Sequence, residues 1–335
     1  MDVIKPQPGP QEMFLSCPAD IAIYGGASGG GKSFALLMEP LRHVAAGGFS
    51  AVIFRRTSKQ VKNEGGLWDA SCGLYGTLGA KAKESELSWK FPSGSSISFG
   101  HLEHEKNKYD WQGSELAYLG FDELTHFTES QFFYLLSRNR SVSGAAPYVR
   151  ATCNPDADSW VADFIRWWID PETGYPVPAR SGKLRWFVRE EDSLVWGDDK
   201  AALEKAHKGK IAKSVTFIAA RIEDNKILME RDPGYRANLA ALSTVDRERL
   251  LLGNWKIRPV AGAYFRRSWF PVVTAAPAEA RRVRGWDLAG SHAEAGVQPD
   301  WTAGVRLARD KDGVFYIEHV ERLQGTPNEV DRTIY

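Results

Sequence analysis

The chain has 335 residues, with 43 Lys+Arg against 42 Asp+Glu, and its formal charge of +1 supplies no global attraction for nucleic acid, so any such binding has to come from a local patch. Single cores seldom grow past ~250–300 residues, so two domains are expected. No stretch approaches the ~20 apolar residues of a membrane span, MDVIKPQPGP has neither the basic flank nor the apolar core of an export signal, and Cys17, Cys72 and Cys153 lack metal-type spacing, so a soluble protein of a reducing compartment is expected.

Residues 21–24 are a short apolar run that ends in glycines, and 34–43 read as a helix, which places a Gly-rich stretch at a βα junction. Apolar runs recur at 51–54, 96–99, 116–121 and 148–152, separated by helix-like or loop segments, the rhythm of a parallel α/β sheet. The stretch 170–182 (DPETGYPVPARSG) is loop-like. Residues 192–255 are charged and mostly helical in pattern, with Thr244 as a cap before VDRERLLL, and read as an extension of the first domain. Ala and Pro dominate 271–280, a linker composition, and 283–289, 302–308 and 313–319 then form three strand-like runs, the last two joined by RDKDG.

Gly26-Ala27-Ser28-Gly29-Gly30-Gly31-Lys32-Ser33 matches G-x-x-x-x-G-K-S. Glycines let backbone N–H groups converge on phosphate oxygens, Lys32 reaches the terminal phosphates, and Ser33 can ligate Mg²⁺, which points to ATP as the substrate. Residues 116–121 run apolar into Asp122-Glu123, so two carboxylates emerge at the carboxyl end of a strand, where α/β sheets place ligands. Asp122 would hold Mg²⁺, and Glu123 would orient or deprotonate the attacking water. A third strand end, ATCNP, offers Thr152 and Asn154 as sensors of the γ-phosphate, or simply a capped turn before Pro155. The cation that phosphoryl transfer needs, in cis or from a neighbouring subunit, has four candidates, Arg55, Arg56, Arg138 and Arg140, each more often a surface or sheet-end salt-bridge residue. Gln11 either reads the adenine edge or faces solvent.

Taken in order, GGASGGGKS, LGFDELTHF, SRNRS and ATCNP resemble the ATPase of the large terminase subunit of tailed bacteriophages. SVTFIAARIEDNKIL and LLLGNWKI are similar to that family's segments between ATPase and nuclease, and RGWDLAG with DWTAGV resembles the opening of its RNase H-like nuclease. The resemblance implies a P-loop ATPase core at 1–182, its extension at 183–258, a linker at 259–282 and the first part of the nuclease at 283–335. It also implies a homo-oligomeric ring, docked on the portal protein of a procapsid in the infected bacterial cytoplasm, that packages double-stranded viral DNA with the small terminase subunit. Carried onto these residues, it makes Lys32 and Ser33 the phosphate and Mg²⁺ ligands, Asp122 the metal-side acid, Glu123 the catalytic glutamate, and Thr152 and Asn154 the coupling residues.

For the nuclease it implies Asp287 as a ligand of Mg²⁺ or Mn²⁺, with Asp300 lining the same site. The family's later catalytic acids belong to strands and a helix that this sequence does not contain. A truncated or natural fragment that hydrolyses ATP without cutting DNA is therefore expected. Metal-dependent plasmid cleavage abolished by Asp287→Ala would overturn that expectation. Two other readings stand beside the motor: a nucleotide-gated assembly or scaffold protein, and a helicase or repair ATPase, although no array of helicase motifs follows the acidic pair.

Overall fold

Ten strands build one sheet: β1 (Ile21–Gly26), β2 (Ser50–Arg55), β3 (Lys81–Lys83), β4 (Ser88–Lys90), β5 (Ser96–His101), β6 (Tyr118–Phe121), β7 (Tyr148–Cys153), β8 (Arg185–Glu190), β9 (Ser193–Gly197) and β10 (Lys213–Ala220). The computed structural model describes residues 4–191, 193–258, 269–289 and 301–334. These strands belong to a first compact unit, Met1–Pro259; the second is Val260–Tyr335.

The strand order is β3-β4-β5-β2-β6-β7-β1-β10-β8-β9. From β5 to β10 every neighbouring pair is parallel. Antiparallel hairpins, β3-β4 on one side and β8-β9 on the other, extend this centre to both edges. Parallel strands are covered on both faces by their crossover helices, so their sequences are apolar throughout. In β1, Ile21 and Ile23 enter one core with Phe132 of helix Glu129–Leu136, Trp168 and Trp255. Ala22 and Tyr24 enter the other with Phe14, Leu36 of helix Lys32–Met38, and Leu74. The result is a three-layer α/β/α unit with its carboxyl strand ends along one rim. Among the described residues no helix is long and apolar enough to cross a membrane.

The stretch 192–255, expected mostly helical, carries the helices Lys200–Ala206, Lys226–Arg231 and Gly234–Ala240, but it also supplies β9 and β10, and β10 pairs with β1 from Ile21↔Val215 to Gly26↔Ala220. Because β10 is buried on both faces it shows no alternation, and a short apolar run among charged neighbours has no period to tell strand from helix. The cap before VDRERLLL is Ser243, whose side chain accepts from the Asp246 N–H; Thr244 is the first helical residue.

The second unit holds β11 (Arg281–Asp287), β12 (Thr302–Arg309) and β13 (Phe315–Leu323), an antiparallel sheet in that order, followed by helix Pro327–Ile334. Residues 259–268 of the expected linker lie outside the described residues, and so does Asp300.

Candidate active site

The loop after β1 takes its shape from positions where a side chain would be costly. Gly26 sits at φ 140°, and a Cβ there would lie 2.3 Å from the Ala220 carbonyl oxygen of β10. Gly29 and Gly31 have φ of 77° and 74°, so left-handed residues flank Gly30, the backbone pattern that turns successive N–H groups into an anion-binding concavity. The Ala27 N–H bonds to Ala220 O at 3.0 Å, and the Ser28 N–H to Leu250 O at 2.7 Å, which anchors the loop's first half to β10 and to the π-helix Arg247–Leu251. Lys32 Nζ donates to Ala27 O at 2.6 Å and to Asn154 Oδ1 at 3.0 Å. Burial pulls its ammonium below the usual lysine range, opposed by the nearby charges of Glu123 and Asp122.

β7 lies between β1 and β6, so residues from all three carboxyl ends meet. Asp122, 2% exposed, accepts from Ser33 Oγ at 2.8 Å and from Thr152 Oγ1 at 2.6 Å on the same oxygen, Oδ1. Its other oxygen pairs with Arg55 Nη1. Glu123 has left-handed backbone, φ 61° and ψ 61°, a conformation that costs a non-glycine residue of order 1–3 kcal/mol. In that conformation its carboxylate accepts from the Asn154 N–H at 3.0 Å and from Asn154 Nδ2 at 2.8 Å. Asn154 thus bridges Lys32, through its carbonyl oxygen, and Glu123, through its amide nitrogen.

A glycine-rich loop, a buried carboxylate holding the loop's hydroxyl, and a second carboxylate clasped by Asn154 just past the intervening strand have the chemistry to hold a nucleoside triphosphate. Residues 23–272 match the model for the terminase large subunit, T4likevirus-type, N-terminal. The chain belongs to the terminase large-subunit family. The large terminase of a thermophilic bacteriophage has the same fold over 98% of this chain and 73% of that one, at 14% identity and a TM-score of 0.52. The large-terminase ATPase domain of Thermus phage P74-26 is similar over 75% of this chain and 94% of that one (13% identity, TM-score 0.47), and the HK97 bacteriophage large terminase over 100% and 66% (14%, 0.43). No match to a curated protein sequence was found. This terminase chain carries the ATPase of a viral DNA-packaging motor.

Within the terminase site the four arginine candidates separate. Arg55 reaches Asp122 at the carboxyl rim. Arg56 is tied down beside it, Nη1 donating to Leu102 O at 3.0 Å and Gln131 Oε1 at 3.2 Å. Arg138 and Arg140 flank the amino end of the β6 segment, where the Leu116 N–H bonds to Arg138 O and the Arg140 N–H to Leu116 O. At ~3.3 Å per residue that is roughly 20 Å from Asp122, on the opposite rim, so of the four candidates these two lie away from the acidic pair of their own chain. Asp287 ends β11 and is exposed. Glu321 sits in the row of Trp286, on the other face of the sheet, and Glu318 bonds Arg282, so neither faces Asp287.

Gln11 does not face solvent: it is 4% exposed, its Nε2 donating to Gly31 O at 3.0 Å and its Oε1 accepting from the Gln7 N–H at 2.6 Å. Sequence reasoning passed over three residues on the loop. Tyr24 donates to Gly30 O at 3.0 Å, Asn225 Nδ2 to Gly29 O at 2.7 Å, and Leu250 supplies the carbonyl for Ser28. Asn225 alone had a sequence signal: it caps helix Lys226–Arg231, an Asn placed just before an apolar helical stretch.

Proposed function

We propose that the carboxyl rim of this sheet hydrolyses ATP with Mg²⁺, and that Asn154 couples the terminal phosphate to the catalytic glutamate. The observation that carries the proposal is the convergence on Asp122 and Glu123: Ser33 and Thr152 share one Asp122 oxygen, while Asn154 holds both Glu123 and Lys32. Ser33, Asp122 and Thr152 offer hard oxygens, and Mg²⁺ in nucleotide enzymes takes one or two carboxylates and completes its shell with water and phosphate. Held there, Mg²⁺ would neutralise charge on the transferring phosphoryl group.

Lys32 offers its ammonium to the γ-phosphate, and in doing so exchanges its bond to Asn154 for one to phosphate. Asn154 then bears on Glu123 alone, which orients the attacking water and accepts its proton. After the γ-phosphate leaves, Lys32 returns to Asn154, so the end of β7 registers each turnover. Arg55 is the arginine we assign to this rim, where its guanidinium reaches Asp122.

In domain terms the proposal keeps the ATPase core at 1–182 with its extension at 183–258, a linker at 259–282 and the nuclease opening at 283–335. Asp287, closing the first of three antiparallel strands, would be a nuclease ligand for Mg²⁺ or Mn²⁺. The motor would work as a ring on the portal protein, with double-stranded viral DNA and the small terminase subunit as partners, in the cytoplasm of an infected bacterium. DNA-stimulated ATP hydrolysis by the purified chain tests the central claim: Lys32→Ala and Glu123→Gln should each abolish it, and turnover that survives Glu123→Gln would overturn the assignment.

A further inference from the structure

We propose that Tyr24, Asn225 and Gln11 are positioning residues of the phosphate loop, each holding one of three consecutive carbonyls from outside so that the next N–H in the chain is aimed at the phosphates. The inference builds on the phosphate-site assignment above. Asn225 Nδ2 holds Gly29 O at 2.7 Å, the Tyr24 hydroxyl holds Gly30 O at 3.0 Å, and Gln11 Nε2 holds Gly31 O at 3.0 Å. In a planar trans peptide the carbonyl of one residue and the N–H of the next point in opposite directions. Drawing these three carbonyls outward therefore directs the N–H groups of Gly30, Gly31 and Lys32 inward. Those are groups that a G-x-x-x-x-G-K-S loop turns on phosphate.

Glycine is the residue whose backbone loses most freedom on ordering, and this loop has three in a row. Without external ties, anion binding would have to pay that ordering entropy itself; a pre-aimed cradle does not. Two of the ties are linked to one another. Gln7 Nε2 donates to Asn225 Oδ1 at 2.8 Å and the Gln7 N–H to Gln11 Oε1 at 2.6 Å, so Gln7 joins Asn225 to Gln11 outside the loop. Asn225 Oδ1 also accepts from the Leu228 N–H at 3.2 Å, so the tie belongs to the start of helix Lys226–Arg231. Tyr24 is fully buried, and burial holds its phenol well above the usual range, so the hydroxyl remains a donor at any working pH. Leu228 and Tyr235 press on the Cα of Gly29, where a Cβ would lie 2.9 Å and 2.7 Å from their side chains. The cradle is therefore complete only while residues 225–235 are seated on the loop, which makes phosphate affinity sensitive to that segment.

Tyr24→Phe and Asn225→Ser each delete one donor; the serine can still cap the helix but is too short to reach Gly29. In equilibrium titrations with a fluorescent ATP analogue, displaced by ATP, pyrophosphate or adenosine, each variant should bind ATP and pyrophosphate roughly fivefold to tenfold more weakly, the loss of one neutral hydrogen bond. Adenosine, which has no phosphate, should displace equally well from wild type and variants. Equal weakening of adenosine would mean a merely structural role and would overturn the inference, as would phosphate affinities within about twofold of wild type in both variants. Should Asn225→Ser fail to fold, Tyr24→Phe decides alone, since it removes a single oxygen. A wild-type chain that binds neither ATP nor pyrophosphate would overturn the phosphate site itself, and the inference with it.

Discussion

Asp122 and Asp287 look alike along the chain, each an acid that ends a strand, and the two sheets treat them differently. Asp122 is buried between Ser33, Thr152 and Arg55, whereas Asp287 is exposed, and its row across β12 and β13 holds only Ala303 and Arg322. Strand direction is the cause. Parallel strands bring every carboxyl end to one rim, so β1, β6 and β7 deliver a loop, an acidic pair and an amide to the same place. In the antiparallel sheet the end of β11 lies beside the start of β12, and chemistry carried at carboxyl ends does not accumulate. An acid at a strand end becomes a site when neighbouring strands supply its partners.

The largest expected effect is on the parallel side. Glu123→Gln should lower ATP turnover by roughly 10²–10⁴-fold, the usual contribution of a positioned base, while nucleotide binding persists. Asp287→Ala should leave turnover unchanged in the same steady-state assay, and a drop there would break the contrast between the two aspartates. Next in size is the buried pair behind the site. Glu39 accepts from Arg150 Nε at 3.0 Å and Arg42 Nε at 3.0 Å, with Arg150 only 2% exposed. Glu39→Ala should cost about 3–5 kcal/mol in denaturant unfolding, because it leaves a buried guanidinium unpaired. Glu318→Ala, which removes the exposed pairs with Arg282 and Arg306 on the antiparallel sheet, should cost about 0–1 kcal/mol by the same measurement.

Thr152→Val keeps the shape of β7 but takes one hydroxyl from Asp122, and should raise the Mg²⁺ concentration for half-maximal hydrolysis roughly tenfold, the scale of a hydrogen bond to a charged group. An unchanged Mg²⁺ titration would detach Thr152 from the metal side of the site. Smallest of all, Arg138→Ala at the opposite rim should alter stability by no more than about 0.5 kcal/mol and leave the chain's affinity for ATP as it is.

Contiguous features were legible in advance. Strands β1, β2, β5, β6 and β7 lay close to where apolar runs placed them, because fully buried strands bounded by glycines and turns are read locally. Gly26 to Ser33 and Asp122-Glu123 were legible for the same reason: a phosphate loop needs its residue types at fixed spacing within a few positions. Glu39 was not. It reads as a surface acid of an amphipathic helix, and only the placement of Arg150 on the neighbouring strand shows it to be buried.

By itself the sequence determined that this chain carries a phosphate loop followed by an acidic strand end, since both are short-range patterns whose chemistry depends on neighbours along the chain. Tertiary structure decided which residues serve them. It set β7 between β1 and β6, so that Asn154 meets both Lys32 and Glu123. It set β10 within a stretch of mostly helical pattern and brought Asn225 across 196 positions to the Gly29 carbonyl. It also sent Arg138 and Arg140 to the far rim. Hydrogen bonds act over about 3 Å regardless of chain distance, so partners chosen by sheet order leave no spacing for a sequence to show.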